Sequence, residues 1–206
     1  RAATELGAPH ISWYQLTLEP NTVFHARPPD GMPNDELAID IQESGQARLR
    51  ELGYEQYEVS AWARDGGRFR HNLNYWLFGD YLGVGAGAHG KITLAAGLRR
   101  YQKPANPLSY MEGIESGRFA VDLEERSAEE RLFEFMLNAL RLNGGFEEQI
   151  FAERSGLSIE YLRERLAPAV ASGLLAETRP GTWQPTPRGG QFLNDLQAQF
   201  LPRQGR

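Results

Sequence analysis

The sequence predicts an α/β fold over roughly its first half, followed by a small winged-helix-like α+β unit. Two observations carry this prediction. Strand-like and helical segments alternate up to about residue 102, and three helical patterns followed by a hairpin signal occupy the residues after 126. A Pro- and Gly-containing stretch lies between them and is predicted to be a linker. The expected divisions are therefore residues 1–102, 103–126 and 127–206.

The first strand is predicted over residues 10–19 (HISWYQLTLE), which are rich in β-branched and aromatic side chains and end at the Pro20-Asn21 turn signal. Because side chains alternate along a strand, Gln15, Thr17 and Glu19 share a polar face opposite an apolar one. A barrel strand with a polar site inside has this division. A half-exposed antiparallel strand has it equally.

A helix and two further strands are predicted next. Residues 20–33 hold four prolines and form a loop, after which Asn34 can cap a helix that ends at Gly53. Residues 54–63 and 80–88 have strand composition. The order of strand, helix, strand, loop and strand favours a parallel sheet or barrel.

The last third is predicted to be mainly helical. Ser127 and Glu130 match a capping box for a helix over residues 128–142. The remaining predicted elements are helices at 146–154, 159–172 and 188–200 and strands at 174–178 and 183–186. Ser158 is the expected N-cap of the 159–172 helix, and Pro180-Gly181 is the expected hairpin turn. This is a winged-helix order.

Composition excludes several function classes. Hydrophobic residues make up 41% and charged residues 24%, and no apolar run approaches the roughly 18 residues that a membrane span needs. The first residues lack the features of a secretory signal, so a cytoplasmic location is expected. Cysteine is absent, which excludes disulfides, a thiolate nucleophile and any cysteine-held zinc or cluster site in this chain.

Nucleic-acid binding is not expected, although a winged helix can read DNA. The net charge is −5, and the expected recognition helix carries a balanced set of charges: Glu160, Arg163, Glu164 and Arg165. A DNA reader is normally clearly basic.

The most unusual segment is residues 70–81 (RHNLNYWLFGDY). It combines an imidazole, two amides and several aromatic rings: His71, Asn72, Asn74, Tyr75, Trp76 and Phe78. A metal ligand, hydrogen-bond donors and flat apolar surface together are what a haem requires. The alternative is that the aromatic residues only anchor a core and that His71 is a hydrogen-bonded surface residue.

A second segment, residues 83–90 (GVGAGAHG), contains four glycines. Without side chains, its main-chain N–H groups could approach a nucleotide or a carboxylate. Its spacing differs from the dinucleotide fingerprint, and residues 91–94 look extended instead of helical. Close packing of a crowded strand explains the glycines equally well.

Arginines near both segments could pair with haem propionates, because guanidinium binds carboxylate bidentately. They are Arg68, Arg70, Arg99 and Arg100. Solvated loop charges are the alternative for each.

Together, these segments resemble the radical S-adenosylmethionine (SAM) haem chaperones of the HemW type, which are similar to oxygen-independent coproporphyrinogen III oxidase. The segments concerned are HISWYQLTLEPNTVF, YEQYEVSAWA, RHNLNYWLFGDYLGVGAGAHGK and TPRGGQFLNDL, in this order. The H-N-x-x-Y-W element is the specific part, since the oxidase lacks that form. Here it comprises His71, Asn72, Tyr75 and Trp76.

The resemblance implies a fold and two sets of site residues. The fold would be the C-terminal part of an incomplete radical-SAM (β/α) barrel, followed by a HemN-type winged-helix-like domain. The H-N-x-x-Y-W residues would bind haem, with His71 as the iron ligand. SAM would be touched by Thr17, Gly85, Gly87 and His89. Some family members have cysteine where Ala86 stands here, so no role is carried over to that position.

The sequence departs from the family in one important respect. A radical SAM protein holds a [4Fe-4S] cluster on three thiolates of a C-x-x-x-C-x-x-C motif, and this chain has no cysteine. It is therefore expected to be a fragment that is catalytically inactive alone, with the cluster and SAM bound by the full-length protein.

The function that the resemblance implies is that of a carrier. The parent protein would bind haem and deliver it to respiratory haem proteins, with transient contact with membrane-bound acceptors and no nucleic-acid partner. The alternative is an oxidoreductase of porphyrin biosynthesis that decarboxylates coproporphyrinogen III. The H-N-x-x-Y-W element favours the carrier.

Overall fold

The computed structural model describes residues 2–94, 97–118, 120–122 and 126–202. They form two compact units, Arg1–Phe69 and Arg70–Arg206, each with its own antiparallel sheet structure. Within the described residues, no helix is long and apolar enough to cross a membrane. Residues 119 and 123–125 of the predicted linker lie outside the described residues.

The first unit packs one long helix against a small sheet. Its elements are α1 (Ala2–Glu5), β1 (His10–Ser12), α2 (Val23–Ala26), α3 (Asp35–Glu51), β2 (Glu55–Glu58) and β3 (Ala61–Ala63). As predicted, the Asn34 side chain caps α3 by accepting a hydrogen bond from the Leu37 N–H. Gly45 leaves room in the middle of α3 for the Trp13 ring, because a Cβ there would lie 1.9 Å from that ring. Tyr54 and Trp62 are buried in this core.

Two strand predictions in this unit are wrong in extent. Of residues 10–19, only His10–Ser12 form a strand, and beyond them the side chains of Tyr14 and Leu16 are exposed. Residues 54–63 form two strands, because the chain reverses after Glu58. The sheet order is β1-β3-β2 with both pairings antiparallel, in place of the parallel arrangement that the element order favoured.

The second unit begins with α4 (Arg70–Trp76), followed by β4 (His89–Leu94), β5 (Gly97–Gln102), α5 (Pro107–Glu115) and β6 (Val121–Asp122). The three strands form an antiparallel sheet in which Lys91 pairs with Arg100. Residues 80–88, predicted to be a strand, contribute only an isolated bridge between Tyr81 and Lys91. Gly85 and Gly87 have φ of +96° and +73°, which turns the chain and prevents a continuous strand.

The rest of the second unit has the predicted order of three helices and a hairpin, except that Phe146–Glu147, predicted to begin a helix, form a short strand that pairs with the hairpin. It consists of α6 (Ala128–Ala139), β7 (Phe146–Glu147), α7 (Glu148–Ser155), α8 (Ile159–Ala171), β8 (Leu175–Arg179), β9 (Thr182–Pro185), α9 (Pro187–Gln191) and α10 (Leu193–Ala198). The capping box of Ser127 with Glu130 and the Ser158 cap are both present. The last predicted helix is divided at Phe192, whose backbone leaves the helical region.

Phenylalanine rings form the centre of this unit. Phe135 of α6 makes edge-on contacts with Phe146 at 5.2 Å, Phe151 at 5.0 Å and Phe78 at 5.8 Å between ring centroids. Edge-to-face packing of this kind is favourable beyond the burial of area. Phe78 follows α4 in sequence, so the segment that carries α4 is anchored in the same core as the winged helix.

Candidate functional site

The H-N-x-x-Y-W residues all lie on α4, which makes two turns. His71 and Tyr75 are four residues apart and share one face of the helix, as do Asn72 and Trp76. The two faces differ by about 100°, the rotation per helical residue. The motif therefore presents two adjacent surfaces.

The first surface is a row of rings that begins at exposed His71. The His71 and Tyr75 rings meet nearly edge to face at 5.0 Å, and the Tyr75 and Tyr81 rings lie 5.1 Å apart. His71 is thus accessible to a ligand and is flanked by aromatic surface. Among the described residues, the His71 side chain makes the ring contact with Tyr75 and no hydrogen bond, unlike the hydrogen-bonded surface histidine of the alternative interpretation.

The second surface is partly covered. The Arg141 guanidinium lies 4.4 Å from the centre of the half-buried Trp76 ring. The indole Nε1–H of Trp76 is buried and has no acceptor among the described residues. Asn72 beside it is half-buried. On this face, Arg141 therefore covers part of the aromatic surface of the motif.

A tight turn ends α4 and directs Phe78 into the core, as the core-anchor alternative expected of that residue. Phe78 has a φ of +56°, unusual for a side chain of this size. The Gly79 N–H donates to the Asn74 carbonyl at 2.6 Å, and the Asn74 amide donates to the Asp80 carbonyl at 2.9 Å. A Cβ on Gly79 would lie 2.1 Å from the Asn74 amide oxygen, so the turn requires glycine.

Lys91 supports this turn from β4, although its side chain is only 2% exposed. Its ammonium donates to the Phe78 carbonyl at 2.8 Å, to Asp80 at 3.1 Å and to Thr93 at 3.3 Å. Burial lowers the pKa of Lys91, and the adjacent Asp80 carboxylate opposes that shift. Sequence analysis missed Lys91, because a buried lysine has no local signal and lysine is normally exposed.

A cavity of about 240 Å³ opens beside the row of rings. It is lined by Tyr75, Phe78, Gly79, Tyr81, Lys91, Arg100, Glu134, Leu137 and Asn138. Tyr75 belongs both to the cavity wall and to the His71 face of α4. Glu134, Leu137 and Asn138 come from α6, so this site combines the predicted barrel segment with the winged-helix segment. No sequence pattern could have indicated that association.

In the glycine segment, residues 83–90, the first and last glycines pack closely against Tyr101 or neighbouring backbone. The Gly83 N–H donates to the Tyr101 hydroxyl at 3.1 Å, and a Cβ on Gly90 would lie 2.1 Å from the Tyr101 ring. At Gly83 and Gly90, close packing therefore explains the glycine, as the alternative interpretation expected.

The predicted SAM residues fall in both units. Gly85 and Gly87 lie in the loop before β4 of the second unit, where Gly85 has a positive φ and open space at the position that a Cβ would occupy. His89 is exposed at the start of β4. Thr17 is exposed in the irregular segment after β1 of the first unit. A role in SAM binding stays a prediction for all four residues.

An iron–sulfur cluster does not fit the residues of this chain, because the sequence contains no cysteine. Thiolates hold such clusters in almost every case.

The family model described as the HemN C-terminal domain matches residues 127–192. The chain is 44% identical to the heme chaperone HemW of Escherichia coli K12 over 202 residues, covering 98% of this chain and 52% of that protein. It is 42% identical to HemW of Haemophilus influenzae, covering 98% and 51%, and 32% identical to HemW of Bacillus subtilis, covering 97% and 52%. The chain thus spans about half the length of the curated relatives it matches.

Among solved structures, the chain resembles the coproporphyrinogen III oxidase HemN from Escherichia coli, which is described as a radical SAM enzyme. The TM-score is 0.64 at 18% identity, and the match covers 97% of this chain and 49% of that one. This likeness confirms the predicted fold class, a part of the HemN-type fold.

Proposed function

We propose that the chain belongs to the radical SAM family that includes the heme chaperone HemW, and that it binds haem on α4 for delivery to haem-accepting proteins. The observation that carries the proposal is the exposed His71 imidazole at the end of a row of aromatic rings. Haem is the cargo in this proposal.

In this proposal, different side chains of α4 provide the iron ligand, the apolar contact and a hydrogen-bond donor. A neutral imidazole nitrogen of His71 ligates the iron, as histidine does in many haem proteins. Tyr75 contacts the same imidazole ring at its edge and offers apolar surface to the porphyrin. Asn72 and Trp76 form the neighbouring face, where the unused indole N–H of Trp76 can donate to a polar group of the ligand.

The carrier is favoured over an oxidase that decarboxylates coproporphyrinogen III. The relatives that are 32–44% identical over almost the whole chain bear the name heme chaperone, whereas the oxidase shares the fold at 18% identity. The geometry of α4 also supplies an iron ligand, which a metal-free porphyrinogen does not need.

The proposal extends to SAM and to the acceptors. Thr17, Gly85, Gly87 and His89 would contact SAM, which together with a cluster supplies radical chemistry in this family. The acceptors would be respiratory haem proteins, with transient contact with membrane-bound ones. A cytoplasmic location remains a prediction. Nucleic acid is not proposed as a partner, because Arg163 and Arg165 of α8 are paired with Glu148 and Glu129.

Haem titration followed by the Soret band tests the proposal with His71→Ala. The variant should lose the band of the bound haem or shift it to the blue, because the iron loses its imidazole ligand. Its melting temperature should stay near that of the parent, since an exposed side chain contributes little to folding.

His25→Ala is the matched control, because His25 is an exposed histidine on α2. It should bind haem like the parent. Unaltered haem binding by His71→Ala would exclude His71 as the ligand and overturn the proposed site.

A further inference from the structure

We infer that the cavity beside α4 is a carboxylate subsite in which Arg100 binds one propionate of the haem. This inference rests on the proposed function, because it takes the ligand on His71 to be an iron porphyrin with free carboxylates. It assigns a residue of β5, outside the H-N-x-x-Y-W element, as a determinant of ligand choice.

The position of the cavity suits a group that extends from a ligand on α4. Tyr75 touches the His71 ring on one side and the Tyr81 ring on the other, and both tyrosines line the cavity. A planar ligand lying on the His71–Tyr75 face therefore has the cavity directly beside it. Propionates project from the porphyrin edge and can enter such a cavity.

Arg100 has unused hydrogen-bonding capacity in that cavity. Its side chain is 18% exposed, and its Nη2 forms an ion pair with Glu134 of α6. Its Nε–H is buried and has no acceptor among the described residues. A guanidinium carries five N–H donors, so Arg100 can keep Glu134 and still bind a second carboxylate.

The tyrosine beside Arg100 adds a second donor. Tyr81 lines the same cavity, and its hydroxyl remains protonated at neutral pH: burial raises its pKa, an effect that the nearby Arg100 charge only partly offsets. A neutral phenol can donate to a carboxylate that Arg100 holds.

The local charge also favours an anion. Among the described residues near the cavity, Lys91 pairs with Asp80 and Arg100 pairs with Glu134, while Arg154 adds a further positive charge. One propionate would balance that charge.

The structure distinguishes Arg100 from the other arginines that the sequence suggested. Arg99 precedes it on β5 and points to the opposite, exposed face, since side chains alternate along a strand. Arg70 is exposed at the first residue of α4. Arg68 belongs to the first unit and lies 3.7 Å from Glu55. Of the four, Arg100 alone lines the cavity.

The test compares haem with haem dimethyl ester, in which both carboxylates are blocked, on the full chain. The parent should bind the ester at least about tenfold more weakly than haem, because hydrogen bonds to a charged group are lost. Arg100→Met should bind haem about as weakly as the parent binds the ester, and its affinity for the ester should match the parent's. Arg99→Met, the matched control, should keep the parent's preference for haem.

Equal affinity of the parent for haem and ester would overturn the subsite, and that measurement needs no variant and so no folding control. An undiminished preference for haem in Arg100→Met would also overturn it. If the parent binds haem through His71 but fails either comparison, the subsite alone is wrong. If the parent binds neither ligand, the proposed function fails and the subsite fails with it.

Discussion

Glu148 is a buried carboxylate that connects three elements of the second unit. The Glu148 side chain is only 5% exposed. Its carboxylate accepts two hydrogen bonds of 2.8 Å from the Arg163 guanidinium and one of 2.7 Å from the Trp183 indole N–H. All its partners come from elements other than α7, on which it lies. It therefore ties α7 to α8 and to β9.

Glu148→Ala should lower the free energy of unfolding by about 1–3 kcal/mol, because the Trp183 N–H loses its acceptor in a half-buried position. Chemical denaturation of the full chain measures the change. Glu147→Ala is the matched control, since Glu147 is an exposed neighbour without a side-chain capping bond, and it should change the free energy little. Equal effects for both variants would refute this account.

The same carboxylate predicts a pH dependence. Hydrogen bonds from Arg163 hold the pKa of Glu148 below its ordinary value, against the opposing effect of burial. Its stabilising contribution is therefore complete above the pKa of the unfolded chain and is lost as the pH falls through the lower pKa of the folded one. In Glu148→Ala, the free energy of unfolding should therefore decrease less than in the parent as the pH falls through this acid range.

At the scale of elements, helix starts could be predicted and strand partners could not. A helix cap is a local feature, and the Asn34, Ser127 and Ser158 caps all follow from the sequence within three residues of themselves. Strand pairing depends on residues far along the chain. Residues 80–88 have strand composition, yet no strand of the described residues extends over them.

In the candidate site, too, local features could be predicted from the sequence and long-range contacts could not. The four residues of the H-N-x-x-Y-W element are neighbours in sequence, so their proximity was predictable. The helix that carries them was not, because a loop was predicted between the strands at residues 54–63 and 80–88, where α4 lies. Lys91 and Arg100 reach the site through the register of β4 with β5, and Glu134 reaches it through the packing of α6. These contacts are long-range and have no signature in composition or spacing.

Ser127→Ala tests the importance of the predicted capping box. The Ser127 hydroxyl accepts from the Glu130 N–H at 3.2 Å, and the Glu130 carboxylate accepts from the Ser127 N–H at 2.9 Å. Removing the hydroxyl should cost about 1 kcal/mol of stability, measured by thermal melting. Ser109→Ala, an exposed serine inside α5, should have a smaller effect. A larger loss at Ser109 would contradict the capping role.

At the scale of the whole molecule, the core of the second unit extends beyond the residues that the HemN C-terminal family model matches. Phe78 lies outside residues 127–192 and is nevertheless buried against Phe135. The Arg154 guanidinium of α7 also donates to the Leu77 carbonyl at 2.7 Å. The residues after α4 and the winged helix thus share one core.

Phe78→Ala should therefore destabilise the second unit by about 3–5 kcal/mol, the usual cost of removing a buried phenylalanine ring. It should also weaken haem binding, because the turn that positions α4 loses its anchor. Thermal melting and haem titration measure the two effects. Phe24→Ala is the control, since Phe24 is 51% exposed on α2, and its ring should be dispensable for both. A Phe78 variant as stable as the Phe24 variant would rule out the shared core.

The anchoring of α4 has a consequence for its motion. No residue of the helix is buried, and its attachments to the core lie just past its C-terminal end, where Lys91 holds the Phe78 carbonyl and Arg154 holds the Leu77 carbonyl. Backbone movement should therefore be smallest at Phe78 and increase toward His71. If His71 ligates haem as proposed, a gradient of this kind would let that side chain move during binding and release while the core stays rigid.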